Sequence, residues 1–498
     1  MNHKILAAAA FSSLIMLFCA CAPASSAPPA PPPGKHPNIL ILLTDDQRFS
    51  VIGALGREKV LSPNMDRIMK MGVTFTQNHI MGGLQGAICA PSRAMLMTGK
   101  SLFHQHLDGQ YIPASDIILP EYFRQQGYIP FETGKWHNGP AAFNRGFGEG
   151  ENIFFGGMHP PETGGHWKPF LHHYDSSGSY KGGFSGSHFS SIYYADAAIQ
   201  FLDEQKLAEQ KNAGHPFFAY VAFTAPHDPR HAPKEFRDLY DSAQIQLPPN
   251  YKPDHPFDNG ELTIRDEELL PHPRTKEAVQ GQIAAYYAMV SEVDHEIGRV
   301  LDELEKNGQA DNTIIVFASD NGLAVGQHGL LGKQNLYDHS IRVPLVIAGP
   351  GIPAGIEDSG YCYLFDLFPT LCELAGYGIP AGLEGLSLAK RVHGRPSKER
   401  DHLFFAYSNL QRGVKKGGYK LIRYNVHGDS RVQLFNLTED PYELNDLSGQ
   451  AKYASKVREL SRLLTKDMKD YQDFCDLGKP GWGYPRKLTD EERSKINP

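Results

Sequence analysis

Cysteine is scarce, with six residues in 498, at positions 19, 21, 89, 362, 372 and 475. Two fall in the N-terminal leader and the rest have no paired spacing, which excludes a disulfide scaffold. Core packing is the expectation for Cys362 and Cys372. No long run of lysine or arginine occurs, and the formal net charge is −7. That excludes a nucleic-acid-binding footprint, and an anionic ligand would need a local basic cluster. The apolar run at residues 5–18 is too short to span a bilayer comfortably.

What is present begins with an export signal. Lys4 supplies the positive region ahead of that apolar run. Ala20-Cys21 resembles a bacterial lipoprotein signal, so residues 1–21 are expected to be removed up to Cys21, which is lipidated. Phe18-Cys19-Ala20 departs from the usual lead-in, and plain secretion is the alternative. The chain is expected to be periplasmic or at the cell surface, touching membrane only through that anchor. Residues 22–36 are rich in Ala, Pro and Ser and read as a solvated tether. The chain is 41% hydrophobic, enough for one large core and a smaller second one.

Three segments read as strands buried on both faces, the pattern of a parallel sheet between helices. They are Asn38–Leu43, Pro216–Phe223 and Thr313–Ala318. Each ends in polar residues: Thr44-Asp45-Asp46, Thr224-Ala225-Pro226-His227 and Ser319-Asp320-Asn321. Open α/β sheets place their sites at the carboxyl ends of strands. Helical patterns cover Pro63–Met71, with Ser62 as N-cap, then Ser191–Lys206 and Lys276–Asn307. The alternation predicts an α/β fold over residues 37–395, with a large doubly wound mixed or parallel sheet flanked by helices. Over residues 396–498, short strands near 403–407, 412–414, 419–424 and 433–437 predict a smaller antiparallel sheet. A helix over Lys452–Tyr471 follows.

Cys89 opens Cys89-Ala90-Pro91-Ser92-Arg93, followed by Thr98-Gly99-Lys100. Cysteine followed by Pro, Ser and Arg at these offsets resembles the signature of type I sulfatases, of the alkaline phosphatase superfamily. The resemblance covers nearly all of the mature chain and is greatest to bacterial exported sulfatases acting on polysaccharides. Gly134-Lys135-Trp136-His137 matches the family's Gly-Lys-Trp-His segment. His227 matches the histidine after the second strand, and Gly332-Lys333-Gln334 matches the second sulfate-binding lysine segment. The family motif usually ends Thr-Gly-Arg; Lys100 keeps the charge and is expected to support the loop.

Asp45, Asp46, Asp320 and Asn321 are four hard oxygen donors from two strand ends. Converging carboxylates repel unless something positive sits among them. Oxygen-only donors favour Ca²⁺ or Mg²⁺ over zinc. The resemblance implies one Ca²⁺, with Mg²⁺ the lesser alternative, and residue 89 completing the shell. It further implies that a maturation enzyme converts Cys89 to Cα-formylglycine, whose hydrate attacks sulfur. Arg93, Lys135 and Lys333 would then hold the sulfate charge. His227 would protonate the leaving alcohol, and His137 would help deprotonate the second hydroxyl. On an extended segment Lys135 and His137 would share one face.

The implied activity is hydrolysis of sulfate esters on a sulfated polysaccharide or oligosaccharide. Residues 140–190, rich in Gly, His and aromatics, read as a long specificity loop suited to stacking on a sugar. His255 and His328 are candidates for the pocket wall. Two alternatives remain from sequence: a phosphonate monoester or phosphodiester hydrolase of the same superfamily, and an inactive sulfoglycan-binding protein.

Overall fold

A computed structural model describes residues 36–175, 177–211 and 214–483. The leader and lipidation site read at residues 1–21, and all of the tether but residue 36, lie outside the described residues. Among the described residues no helix is long and apolar enough to cross a membrane.

A ten-stranded mixed sheet forms the larger layer. Its order is Ile356–Asp358, Gly72–Phe75, Leu345–Ala348, Thr313–Ser319, Asn38–Thr44, Phe217–Ala222, Ile129–Lys135, Glu149–Phe154, Phe170–Tyr174 and Tyr180–Ser185. The four strands from Thr313–Ser319 to Ile129–Lys135 are mutually parallel, so their carboxyl ends share one edge. The apolar run in Asn38–Thr44 follows from its two buried faces. Ile39, Ile41 and Leu43 enter one core with Met95 and Phe368, while Leu40 and Leu42 enter the other with Phe201 and Val290. Each such side chain stabilises the fold by about 1.5–3 kcal/mol relative to exposure.

The helix Lys276–Lys306 covers the second face, burying Val279, Ile283, Tyr286, Val290, Val293 and Ile297. Thr275 caps it, its Oγ1 accepting the Ala278 N–H at 3.2 Å. The helix Ser190–Gln210 lies beside it. The helix Pro63–Met71 occupies its expected bounds, but Ser62 makes no side-chain cap bond. Asp294 of the long helix does that work instead, accepting Asn64 N–H at 3.1 Å and Met65 N–H at 2.7 Å. The cap is tertiary, which no local pattern could reveal.

His402–Tyr407, Gln411–Lys416, Tyr419–Val426 and Asp429–Asn436 form an antiparallel meander. The helix Ala454–Asp470 buries Leu460, Leu464 and Met468. A fifth strand, Gly82–Gly83, adds in parallel to His402–Tyr407 and joins the small sheet to the segment leading to Cys89. Gly82 has φ +107°, and a Cβ there would lie 2.0 Å from the Ala406 carbonyl oxygen, so only glycine fits. Leu403, Phe405 and Leu421 belong to the same apolar core as Ile88 and Met95. The second core predicted from composition therefore lies on the opposite face of the large sheet, not within the small one.

Residues 140–190 are not one long loop. They include a short helix, Pro140–Gly146, and three strands that extend the sheet. Register shifts between these strands break the two-residue alternation that would have marked them.

Candidate active site

Four neighbouring strands deliver the site from one edge. Asp45 and Asp46 follow Asn38–Thr44 directly, and Asp46 takes φ +67°. That turn is held by Tyr286, whose hydroxyl donates to the Asp46 carbonyl at 2.7 Å, and by Asp320 Oδ1, which accepts the Asp46 N–H at 3.2 Å. Asp320 and Asn321 follow Thr313–Ser319, His227 lies beyond Phe217–Ala222, and Lys135 ends Ile129–Lys135.

Cys89 is the first residue of the helix Cys89–Thr98, which is buried throughout. Pro91 fits the first turn, where its missing N–H has no helical partner to lose. Arg93 lies four residues on and so shares a face with Cys89. The signature spacing is one helical turn. Arg93 Nε donates to Asp320 Oδ2 at 2.7 Å, and Nη1 donates to the Lys135 carbonyl. Its Nη2 is buried with no partner among the described residues.

The Cys89 Sγ stands 3.3 Å from Asp45 Oδ1, 3.8 Å from Asp46 Oδ1 and 2.9 Å from Lys333 Nζ. Burial, with Asp45 adding to it, pushes the thiol well above its ordinary pKa. Lys135 Nζ bonds Asp45 Oδ2 at 2.5 Å. Lys333 Nζ bonds both Asp46 oxygens, at 2.7 and 2.8 Å. Burial raises the Asp45 pKa, but Lys135, His227, Arg93 and Lys333 outweigh it and hold the carboxyl well below its usual range. Asp320 goes the other way, pushed up to about 6 by burial and by Asp45.

His137 lies just past its strand with φ +68°, so it does not continue an extended segment with Lys135. Both reach the site, by a turn rather than by alternation. Burial, Lys135 and Arg93 push His137 well below the usual imidazole range, and its Nδ1 has no partner among the described residues. The His227 Nε2 lies 3.5 Å from Asp46 Oδ2, and its Nδ1 donates to the Asp228 carbonyl at 2.9 Å.

Asp45, Asp46, Cys89 and His227 can aim one ligand atom each at a common point. Asp320 adjoins them through Asp46. Asn321 is fully buried, and neither its Oδ1 nor its Nδ2 has a partner among the described residues. A buried amide left unpaired in the residue after Asp320 fits a hard divalent cation, which would take its oxygen.

His255 and His328 are not in the cavity wall. His328 stacks on Tyr337 at 3.9 Å, and its Nε2 donates to the Glu443 carbonyl. His255 Nε2 meets the Tyr337 hydroxyl at 3.2 Å. Both are buried in a polar network that seats the small sheet. Lys100 supports its loop as expected, bonding Asp116 at 2.6 Å.

The cavity over Cys89 has a volume of 430 Å³ and is reached by His137, His227 and Lys333. Met158, Ile264, Arg265, Asp266 and Gln334 also line it. Gln334 lay within the Lys333 segment, whereas Ile264, Arg265 and Asp266 had no sequence signal. Asn138, also unread, ties the 134–138 segment to the helix start through the Ala90 carbonyl at 3.0 Å.

The Sulfatase family model matches residues 37–377. A second model, N-sulphoglucosamine sulphohydrolase, C-terminal, matches residues 326–470. A sulfatase of Formosa agariphila is 31% identical over 452 residues, covering 86% of each chain. An N-acetylglucosamine-6-O-sulfatase of Bacteroides thetaiotaomicron is 28% identical over 522 residues, covering 88% of this chain and 87% of that one. A structure solved in complex with its substrate D-glucosamine-2-N,6-O-disulfate matches with TM-score 0.72 at 24% identity, over 90% of this chain and 100% of that one. The signature helix, the converging strand ends and the match along most of the chain reach one conclusion: this protein belongs to the sulfatase family.

Proposed function

We propose that this sulfatase hydrolyses sulfate esters on sulfated carbohydrate, with residue 89 converted to Cα-formylglycine by a maturation enzyme and Ca²⁺ held by Asp45, Asp46, Asp320 and Asn321. The state of Cys89 carries the reading. As encoded, it is a buried thiol held protonated, a poor nucleophile, yet it sits among the cationic groups a sulfate ester requires. An aldehyde at that position, once hydrated, supplies a hydroxyl nucleophile that needs no thiolate.

When bound, the divalent cation supplies charge for the sulfate oxygens and favours ionisation of the attacking hydroxyl. Lys135, Lys333 and the free Arg93 Nη2 add fixed positive charge, which is preorganised because Asp45, Asp46 and Asp320 already hold these side chains. One hydroxyl of the hydrate gives up its proton to solvent and attacks sulfur. The sulfur–oxygen bond to the sugar breaks, and His227 Nε2 passes a proton to the departing oxygen. A sugar alkoxide leaves poorly, and such an acid contributes ~10²–10⁴ in rate. The second hydroxyl then loses its proton to His137 Nδ1. The bond from residue 89 to the sulfate oxygen breaks, sulfate departs, the aldehyde is restored and water adds to it again. A cysteine or serine adduct lacks that second hydroxyl.

The N-acetylglucosamine-6-O-sulfatase of the comparison, at 28% identity over most of both chains, supports a sulfated sugar as substrate. Export fits such a role, with the leader of residues 1–21 and lipidation at Cys21 part of the proposal. The test is sulfate release from a panel of defined sulfated mono- and oligosaccharides. Turnover of at least one sugar ester is the expected result. Tight binding without turnover, with the aldehyde verified by mass spectrometry, would overturn it.

A further inference from the structure

We propose that Arg265 is a positioning residue for the leaving-group acid, acting through Asp228 to fix the His227 ring. The inference deepens the reading above and rests on His227 being that acid.

Arg265 sits at the cavity wall, between Ile264 and Asp266. Its guanidinium takes both oxygens of Asp228, Nη2 reaching Oδ1 at 3.1 Å and Nη1 bonding Oδ2. Its Nη2 also donates to Asp266 Oδ1 at 2.5 Å. Two carboxylates therefore neutralise this cation, so it is not a spare charge for a substrate anion. Its influence runs through what it holds.

Asp228 is the residue after His227. Its Oδ1 lies 3.3 Å from His227 Nδ1, and its carbonyl accepts from the same nitrogen at 2.9 Å. Those contacts aim Nε2 toward Asp46 and the cavity. His166 Nε2 donates to the His227 carbonyl at 3.0 Å, fixing the backbone from behind. An exposed ion pair would count for little. Here Arg265 is 43% exposed, but the Asp228 side chain that it holds is only 6% exposed, and the forked guanidinium sets its orientation in a way a lysine could not. Burial raises the Asp228 pKa, yet His227 and Arg265 bring it well below the ordinary range, so it remains a charged partner.

The chain of bonds continues on the other side. Asp266 Oδ2 accepts from Gln334 Nε2 at 2.8 Å, and that same nitrogen donates to the Gly86 carbonyl at 2.9 Å. Arg265 thus links the acid to the segment carrying Lys333 and to the loop before Cys89. A ring displaced by about 1 Å from the leaving oxygen can cost ~10²-fold in rate. The cost should appear only where protonation of the leaving group matters.

The experiment is a series of ring-substituted phenyl sulfates of graded phenol acidity. They are assayed for kcat and KM with wild type, Arg265→Gln, Arg265→Lys, Asp228→Asn and His227→Gln. Conversion of residue 89 and thermal melting are measured for each. In Arg265→Gln and Asp228→Asn, kcat should fall ~10–100-fold for the poorest leaving groups and much less for nitrophenyl sulfate. Arg265→Lys should fall between, and a double variant carrying both Arg265→Gln and Asp228→Asn should add little to either single one. A loss equal across the series, a change confined to KM, or no change in any variant would overturn the proposal. If Arg265→Gln fails to fold, the Lys and Asn variants carry the same test. His227→Gln separates the two claims. A uniform loss there sinks the acid assignment itself, whereas a selective loss there alone sinks only the role of Arg265.

Discussion

Lys333 holds both carboxylate oxygens of Asp46, at 2.7 and 2.8 Å, with both side chains buried. The pair neutralises a carboxylate that the site needs close to residue 89. Lys333→Met should leave Asp46 uncompensated and destabilise the fold by about 3–5 kcal/mol. Urea melts with and without added calcium check this, and calcium should restore part of the loss.

Asn321 gives a second, independent test of the cation. Calcium at a hundred times its dissociation constant should raise wild-type stability by about 2.7 kcal/mol. In Asn321→Leu the same rise should require a higher calcium concentration. A thermal melt insensitive to calcium at every concentration would contradict the ligand set.

The buried histidines predict acid lability. Burial is the leading cause that lowers His166 and His255 to about 4 and His328 to about 3. The unfolded chain binds these protons near pH 6.5 while the folded one refuses them. Stability from these groups is therefore complete above about pH 6.5 and is lost as pH falls toward about 4. His328 alone should contribute a loss of several kcal/mol across that window, at about 1.4 kcal/mol per pH unit. His328→Gln should show a smaller difference in urea midpoint between pH 7.5 and pH 5 than wild type. Equal differences in the two proteins would refute the assignment.

The site was legible where chemistry is local and hidden where it depends on closure. Asp45, Asp46, Asp320, Asn321 and His227 follow three apolar strands whose two buried faces made them visible. The fourth strand, Ile129–Lys135, carries Pro130, Glu132 and Thr133, so hydrophobic pattern alone did not mark it. Its lysine was found only through family resemblance. Arg265 and Asp266 come from a segment without regular pattern, and only tertiary contact brings them to Asp228 and Gln334. His255 and His328 misled because a histidine near a motif reads the same whether it faces a substrate or a buried tyrosine.

Cys89→Ala removes the nucleophile and little packing. Turnover of aryl sulfate should fall below detection while the thermal midpoint stays within a few degrees of wild type. Residual turnover at wild-type rate would reject residue 89 as the nucleophile.

The most direct measurement plots specific activity against the fraction of residue 89 converted, across preparations made with increasing amounts of maturation enzyme. The fraction is read by mass spectrometry on the peptide ending at Arg93. A straight line through the origin is expected, with unconverted protein inactive. Activity that does not depend on conversion, or that persists when residue 89 is entirely cysteine, would contradict it.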